Sequence, residues 1–331
     1  MFFVFNIYMK VCSENYRYNT PQFCGYRTLL GKRLDKVLSS GIVSDDDNTF
    51  LVNEINKLIQ KRFSQPKNLG EGMQNRIYKL DDKYVIKVPI NKSVILDDIF
   101  EILPQKFSEL KTYYGEPLAR IGNVKILKNV SSKSKAIPAG IPKSLPESFD
   151  KNDITGYYND FYLPTFASVP QKSYDALARD IKKLRKMRDI ETGSNYTFDY
   201  YNPNNVVLSG KTLKMTDDIE TTHFSDKNTV QDMFNVFLKQ INVGIPATPS
   251  SKLLPFRQAI AKKIIKAGMK SDLILTKNNP SSGVWDFTLR YLCNAKEDSK
   301  TVFEKLVDIK RTAKNQKELE KLTDDYLKEL F

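Results

Sequence analysis

Residues 69–90 read LGEGMQNRIYKLDDKYVIKVPI, with a β-prone segment on either side of an aspartate pair at 81–82. Because paired aspartates favour a tight turn, the two segments are expected to form a β-hairpin. Successive side chains of a strand point to opposite faces, so Lys87 is expected on the face opposite Ile86 and Val88. A lysine inside a β-rich unit needs an anionic partner. The stretch therefore predicts a lysine that points beneath the hairpin towards an anion.

Two glycines, Gly70 and Gly72, precede this hairpin. Because glycine has no Cβ, backbone N–H groups at these positions can approach a phosphate closely. The same Gly-x-Gly spacing also occurs in ordinary tight turns and is a weak signal by itself. The two glycines are therefore compatible with a phosphate-binding loop and with a structural turn.

A second informative stretch, DYYNPNNVVL at 199–208, combines a loop with a short strand. Asn and Pro favour the loop, and residues 206–208 can pair with 213–216 across a Ser-Gly turn. This hairpin would hold Asn205 and Asp217 close together. Two oxygen donors in such an arrangement suit a hard cation such as Mg²⁺. A surface hairpin with polar ends is the alternative interpretation.

The composition excludes several classes of site. The 331 residues are 40% hydrophobic and 27% charged, which is typical of a globular protein with an ample core. Three widely spaced cysteines provide neither a disulfide framework nor metal-ligand spacing. The single histidine, His223, has no nucleophile signature nearby, so a His-Cys zinc site and His-dependent nucleophilic catalysis are not expected. Chemistry in this chain would have to use carboxylates, lysines and amides.

The net charge of +13 favours acidic partners, including nucleotides, an acidic protein or an anionic lipid surface. The densest basic run, 182–188, lies in a segment with helical spacing from Ser173 to Asp189. Because the apolar residues of this segment share one face, a solvated helix face is expected, with a binding patch as the alternative. No recognition motif for nucleic acid accompanies the charge, so no specific nucleic-acid partner is expected.

The remaining segments predict a coarse order of elements. The first ten residues, MFFVFNIYMK, resemble neither a signal peptide nor a membrane span, and we expect no transmembrane segment in the chain. Residues 1–48 are expected to be irregular, ending in an acidic turn, whereas 50–63 have the spacing of an amphipathic helix. Further expectations are helices at 91–114, β structure at 154–168 and mostly helices after Thr229.

The order of these features resembles the protein-kinase fold. Gly-x-Gly comes first, then strand–turn–strand with Val-Ile-Lys, a basic helix, an acid before Asn-Val-Val-Leu, and a hairpin that ends in Asp. The resemblance implies an α+β fold with two lobes, a small antiparallel β N-lobe and a mostly helical C-lobe that lacks a normal activation segment. The N-lobe would cover 49–168, with a mobile insertion at 129–146, and the C-lobe with its helical extension would cover 169–331.

The same resemblance implies a role for each motif residue in binding ATP and Mg²⁺. Lys87 would hold the α and β phosphates and take part in catalysis. Asn205 and Asp217 would hold Mg²⁺, and Asp199 would be the catalytic base. The other residues implied to contact the nucleotide are Gly70, Gly72, Ile77 and Val85.

In kinases a glutamate on a helix pairs with the strand lysine. Within the helices expected at 91–114, the two choices are Glu101 and Glu109. Their separations from Lys87 bracket the usual one, and Glu109 is preferred.

Several positions depart from the kinase pattern. Asn75 replaces the third loop glycine, Phe198 replaces the histidine before the catalytic acid, and no loop lysine follows Asp199. Kinases place the asparagine five residues after the acid, whereas Asn205 comes six residues after Asp199. A strict five-residue register would put Tyr200 in the acid position and favour a catalytically inactive pseudokinase.

These departures resemble those of secreted bacterial effector kinases, especially the SteC-like type III effectors. YVIKVP at 84–89 is similar to the VVKIP-like segment of that group, whose catalytic loop also has an extra residue before the asparagine. The resemblance implies a virulence effector that is secreted without a cleaved signal peptide and acts in the host-cell cytoplasm. For a protein that is not an effector, the expected location is cytoplasmic.

The sequence therefore predicts a phosphotransferase of kinase fold, dependent on ATP and Mg²⁺, that phosphorylates Ser or Thr of a host protein substrate. A pseudokinase scaffold and a small-molecule phosphotransferase are the alternatives. Retention of Lys87, Asn205 and Asp217 favours activity. The missing loop lysine and the extra loop residue favour the scaffold.

Overall fold

The computed structural model shows an α+β protein with a small antiparallel sheet and many helices. The described residues are 21–63, 75–89, 100–102, 107–130, 137–138, 153, 156–187, 193–198, 205–217, 219–222, 252–274 and 283–331. Contacts divide the chain into two compact units. The first unit comprises Met1–Ser108, Tyr113–Ile137 and Pro142–Ser144, and the second comprises Glu109–Thr112, Pro138–Ile141 and Leu145–Phe331.

Two helices, α1 (Pro21–Ser40) and α2 (Asp45–Phe63), begin the described part of the first unit. The expectation of an irregular segment up to residue 48 is therefore wrong from residue 21 onwards, and residues 1–20 lie outside the described ranges. In α1, Leu30, Leu34 and Val37 follow helical spacing and are buried. Their burial against the rest of the unit stabilises a helix whose intrinsic propensity is weak.

The acidic turn expected near residue 48 is the first turn of α2. The backbone N–H of Asp47 donates to Ser44 Oγ at 3.1 Å, and the Ser44 hydroxyl donates to the Asp47 carboxylate at 2.7 Å. This pair of hydrogen bonds caps the helix, and the aspartates at 45–47 are favourable near its positive end. The helix expected at 50–63 is confirmed, with an earlier start.

The first unit contains a five-stranded antiparallel sheet in which the strands follow the order β1-β2-β5-β4-β3. The hairpin expected around the aspartate pair is confirmed as β1 and β2. Asp81 forms its turn, because the Asp81 carboxylate accepts hydrogen bonds from the backbone N–H groups of Lys83 at 2.7 Å and Tyr84 at 2.8 Å. The strands are β1 (Asn75–Lys79), β2 (Tyr84–Pro89), β3 (Phe100–Ile102), β4 (Ala119–Ile121) and β5 (Val124–Lys128).

One face of this sheet packs against α1 and α2. The cluster combines apolar side chains of the two helices with those of alternate strand positions, so the helices and the sheet share one core. Its strand residues include Tyr78, Tyr84, Ile86, Val88, Ala119, Ile121, Val124 and Ile126, and its helix residues include Leu34, Val37, Leu51 and Ile55.

A polar contact fixes α1 to the start of β2. The Asp35 carboxylate accepts a hydrogen bond from Lys83 Nζ at 2.6 Å and another from the Tyr84 hydroxyl. The hydrogen bond from Lys83, followed by that from Tyr84, lowers the pKa of Asp35. Burial and the same carboxylate raise the pKa of Tyr84. The contact therefore favours an ionised Asp35 and a neutral Tyr84.

The expectation of helices at 91–114 is wrong where the structure describes this segment. Residues 100–102 form β3, which pairs with β4 so that Phe100 lies opposite Ile121 and Ile102 opposite Ala119. Residues 107–109 and 111–112 form turns. Pairing with β4 is a tertiary interaction, and a short apolar run alone does not distinguish a strand from a helix.

In the second unit, a π-helix at Tyr157–Tyr162 continues directly into α3 (Leu163–Ser168). The expectation of β structure at 154–168 is therefore wrong. The π-helix and α3 bring four buried aromatic rings together, with ring centroids 5.3 Å apart for Tyr158 and Tyr162 and 4.6 Å apart for Tyr162 and Phe166. This packing outweighs the β propensity of the individual aromatic residues.

The helix expected at 173–189 is confirmed as α4 (Gln171–Lys186). Leu177, Ile181 and Leu184 are fully buried, which is the face expected from their spacing. Part of the basic run in α4 takes part in ion pairs within the unit, since Lys182 contacts Asp272.

A three-stranded sheet, in which β8 lies between β6 and β9, and a two-stranded sheet of β7 and β10 complete the β structure of the described residues. β8 (Val206–Ser209) and β9 (Thr212–Met215) form an antiparallel hairpin, and β7 (Asn195–Phe198) pairs antiparallel with β10 (Ile219–Thr222). The short strand β6 (Ile137–Pro138) lies within the insertion expected at 129–146, most of which falls outside the described ranges.

The described residues after Thr229 are helical in all their regular elements, as expected. Leu319, Tyr326 and Leu330 are buried and form one stripe of the last helix. Residues 223–251, where a normal activation segment was expected to be missing, lie outside the description. The elements are α5 (Leu254–Lys270), α6 (Gly283–Asp286), a π-helix at Phe287–Leu292, α7 (Ser299–Thr312) and α8 (Gln316–Leu330).

Among the helices that the structure describes, none has both the length and the apolar character that crossing a membrane requires.

Candidate functional site

Lys87 lies on β2, a strand that is paired on both sides. Its register partners are Ile77 on β1 and Lys125 on β5. Because Ile86 and Val88 belong to the core shared with α1 and α2, the Lys87 side chain lies on the other face of the sheet, as expected. The residue is only 9% exposed. A buried ammonium group interacts strongly with any anion beside it, because little water screens the charge.

An apolar patch lies on the same face as Lys87. Ile77, Val85 and Leu127 form a small buried cluster separate from the main core of the unit. Ile77 is the register partner of Lys87, and Leu127 is that of Val85. The face thus combines an apolar surface that could contact an aromatic base with a cation that could contact phosphate. Gly70 and Gly72, the expected phosphate loop, lie outside the described residues.

Neither proposed glutamate lies on a helix. Glu101 lies in β3 and is the register partner of Arg120 on β4. Glu109 lies in a turn, and its carboxylate is 3.5 Å from Lys183 Nζ. The expectation of a helical glutamate is therefore wrong for both residues, for the reason given above for the segment 91–114.

The hairpin expected after Asn205 is confirmed. Val206 lies opposite Met215, and Ser209 lies opposite Thr212. Gly210 in the connecting turn has φ of 62°, a left-handed conformation that glycine adopts without a steric cost.

Asn205 and Asp217 lie at the same end of this hairpin. The Thr216 backbone N–H donates to the Asn205 carbonyl oxygen at 2.9 Å, and the Thr216 hydroxyl donates to the same oxygen at 3.3 Å. Asn205 is fully buried, with 0% exposure, and Asp217 is half-buried. An amide oxygen and a carboxylate are hard donors, so the pair is chemically suited to Mg²⁺.

The pairing of β7 with β10 places a third chain segment at this end. Phe198, the last residue of β7, is the register partner of Ile219, the first residue of β10. Asp217 precedes Ile219 by two residues, and Asp199 directly follows Phe198. Asp199 itself lies outside the described residues. The end of β7, the start of β8 and the end of β9 therefore converge.

Buried hydrogen bonds fix the hairpin to α4. The Asp180 carboxylate, which is 0% exposed, accepts from the Thr112 N–H at 2.6 Å and the Thr112 hydroxyl at 2.7 Å. The Thr112 carbonyl accepts from the Met215 N–H at 2.8 Å, and Ser173 Oγ accepts from the Leu213 N–H at 2.8 Å. These contacts restrict β9 and hence the residues that follow it.

The anchoring residues were not identified from the sequence. A signal for one of them was present, because Asp180 lies between Leu177 and Ile181, on the apolar face of the expected helix. A second missed residue is Lys214 on β9, opposite Val207. Lys214 is partly desolvated, and this burial lowers its pKa. It lies on the same hairpin as Asn205 and Asp217.

Within the described ranges, no group of three or more His, Cys, Asp or Glu side chains is arranged to hold a metal ion. A cation at Asn205 and Asp217 would need further oxygen ligands from outside this pair. This requirement agrees with the usual chemistry of Mg²⁺, which keeps several waters and binds through few protein ligands.

Comparisons of the chain with models of known protein families, with curated proteins and with solved structures gave no significant match.

Proposed function

We propose that the protein is an ATP- and Mg²⁺-dependent phosphotransferase of protein-kinase-like fold. The observation that carries the proposal is the convergence of three segment ends in the second unit. A hydrogen bond from Thr216 joins the end of β9 to Asn205 at the start of β8, and Asp217 follows Thr216. The last residue of β7, Phe198, pairs with Ile219 two residues beyond Asp217, and Asp199 follows Phe198 in the sequence. A proton acceptor and two cation ligands on neighbouring chain segments are the groups that phosphoryl transfer requires.

The first unit supports the proposal independently. Lys87 is buried on β2, a strand that is paired on both sides, and Ile77 and Val85 share its face. In this assignment Lys87 binds the α and β phosphates of ATP, while the two apolar residues contact the base. Asn205 and Asp217 hold Mg²⁺, which when bound neutralises charge on the phosphates.

Asp199 accepts the proton of the hydroxyl that receives the phosphoryl group. No histidine needs to take part, in agreement with a chain that contains only His223. The proposed acceptors are Ser and Thr hydroxyls of a host protein, and the proposed setting is a bacterial effector delivered by type III secretion. The net charge of +13 favours an acidic protein or lipid partner during that encounter.

A second candidate function is nucleotide binding without transfer. It is favoured by the spacing of the acid and the asparagine, because Asn205 comes six residues after Asp199 and only five after Tyr200. If Tyr200 occupies the acid position, the chain keeps its phosphate and cation ligands but has no general base there.

Incubation of the purified protein with γ-labelled ATP and Mg²⁺ tests the two functions together. Labelled protein, from autophosphorylation or from added host-cell extract, is expected only when Mg²⁺ is present. If calorimetry shows ATP binding but no phosphate is transferred to protein or water, the second candidate function, nucleotide binding without transfer, is supported instead. Absence of both binding and transfer would remove both candidates.

A further inference from the structure

Three basic residues form a single transverse row across the sheet of the first unit. Lys87 on β2 is the register partner of Lys125 on β5, and Lys125 is the register partner of Arg120 on β4. Ile77 on β1 and Glu101 on β3 complete the same row of partners. Neighbouring strands are about 4.8 Å apart, so the three cations extend over roughly 10 Å. We refer to Lys87, Lys125 and Arg120 as the basic row.

All three side chains of the basic row lie on the face opposite the core with α1 and α2. The neighbours Ala119 and Ile121 of Arg120, and Val124 and Ile126 on either side of Lys125, belong to that core. Exposure increases along the row, because Lys87 is buried, Lys125 is half-buried and Arg120 is exposed. An elongated anion could therefore contact a buried cation at one end while its other end remains in water.

The basic row places like charges directly opposite each other on neighbouring strands. Two such pairs are adjacent, because Lys125 lies opposite both Lys87 and Arg120. The next row on this face contains Lys79 on β1, Val85 on β2 and Leu127 on β5. Three cations thus lie in the basic row, compared with one among the β1, β2 and β5 positions of the next row.

We infer that the basic row is a binding site for linked phosphates, in which Lys125 and Arg120 extend the contact made by Lys87. The assignment of a nucleotide triphosphate as the natural ligand rests on the proposed function. The anion site itself rests on the register alone. Linked phosphates carry several charges along one chain, and this distribution matches three cations in a line better than a single carboxylate does.

Calorimetric titration with inorganic tripolyphosphate in Mg²⁺-free buffer of fixed ionic strength tests the site. Wild type is compared with Lys125→Met and Arg120→Met. Lys32→Met is the matched control, since Lys32 is exposed on α1 and its loss changes the net charge equally. We expect Lys125→Met to weaken binding about ten-fold or more and Arg120→Met by about three- to five-fold, whereas Lys32→Met stays within about two-fold.

The melting temperature without ligand provides a second measurement. It serves as the reference for each variant, because the shift caused by tripolyphosphate is measured from it. Added tripolyphosphate should raise the melting temperature of wild type and Lys32→Met but not that of Lys125→Met. Should Lys125→Met fail to fold, the exposed Arg120→Met variant decides the outcome. If Lys125→Met and Arg120→Met both bind tripolyphosphate with the same affinity as Lys32→Met, the inference is wrong.

Further ligands separate this inference from the proposed function. ATP should show the same dependence on Lys125 as tripolyphosphate, whereas AMP, with one phosphate, should bind weakly and depend on it less. If tripolyphosphate binding depends on Lys125 and Arg120 but the protein never transfers phosphate, the anion site is supported and the proposed enzymatic function is wrong. If the protein transfers phosphate but its tripolyphosphate binding does not depend on Lys125 or Arg120, the proposed function is supported and the inferred anion site is wrong.

Discussion

Thr216 donates two hydrogen bonds to the carbonyl oxygen of Asn205, from its backbone N–H at 2.9 Å and from its hydroxyl at 3.3 Å. These bonds close the β8–β9 hairpin one residue before Asp217. Asn205 and Asp217 therefore lie close together, although Thr216 comes eleven positions after Asn205 in the chain. The cation ligands of the proposed site depend on this closure.

Substitution of Asp217 and Asp199 should separate cation binding from proton transfer. Asp217→Ala removes a proposed Mg²⁺ ligand and should abolish both turnover and the Mg²⁺ dependence of ATP binding. Asp199→Asn keeps the size of the side chain and should lower turnover at least about 100-fold while ATP binding remains. Initial rates and calorimetry with and without Mg²⁺ measure the two effects. Full turnover by Asp199→Asn would assign the base elsewhere.

Replacement of Lys87 should abolish phosphoryl transfer. Lys87→Met preserves most of the aliphatic packing on β2 and removes the charge that contacts phosphate, so the variant should fold while its transfer rate falls to background. Lys32→Met serves as the control for an equal change of charge and should keep wild-type activity. Transfer by Lys87→Met at the wild-type rate would contradict the kinase assignment.

Loss of Asp180 should destabilise the second unit. Asp180→Ala leaves the Thr112 N–H and hydroxyl without their buried acceptor and should cost about 2–4 kcal/mol of unfolding free energy. Asp325→Ala is the control, because Asp325 forms a partly exposed pair with Lys328 at 3.1 Å and should change stability by less than about 1 kcal/mol. Urea denaturation measures both variants. Equal losses in the two would show that the Asp180 contacts do not stabilise the fold.

The Asp35 contact should make stability depend on acidic pH. The hydrogen bond from Lys83 lowers the pKa of Asp35 below its ordinary value of 3.8. The stabilisation is therefore fully present above pH 3.8 and is lost as the pH falls through the lowered pKa of the folded state. The difference in melting temperature between wild type and Asp35→Asn should be constant near neutral pH and should become smaller below pH 3.8. Glu329→Gln, at an exposed position, is the control and should have the wild-type melting temperature at every pH. A difference between wild type and Asp35→Asn that stays the same at the lowest pH would refute the linkage.

The last helix should be required for folding rather than held ready for a partner. Leu330 in α8 is 2% exposed, and Leu330→Ala should cost about 2–4 kcal/mol. Lys321→Ala, at an exposed position of the same helix, should change the unfolding free energy by less than about 0.5 kcal/mol. Deletion of residues 316–331 should yield insoluble protein. A soluble truncated protein that melts like wild type would contradict core packing.

Local chemistry in the sequence determined both hairpins and the helices with regular apolar spacing. Asp81 forms the β1–β2 turn with its own carboxylate, and Gly210 supplies the positive φ of the β8–β9 turn. In α4 the apolar spacing identified the buried face, and in α8 it identified the stripe that packs on the unit. These features could be predicted because the interactions that form them join residues close together in the chain.

Tertiary structure decided the elements in which distant segments compete with local preference. Phe100 and Ile102 form a strand because β4 lies beside them, and Tyr157, Tyr158 and Tyr162 form a π-helix because their rings pack together. The burial of Asp180 against Thr112 and the alignment of the basic row also depend on contacts between residues far apart in sequence. A sequence pattern reports the face on which a residue lies, whereas only the register between strands places Lys125 beside Lys87.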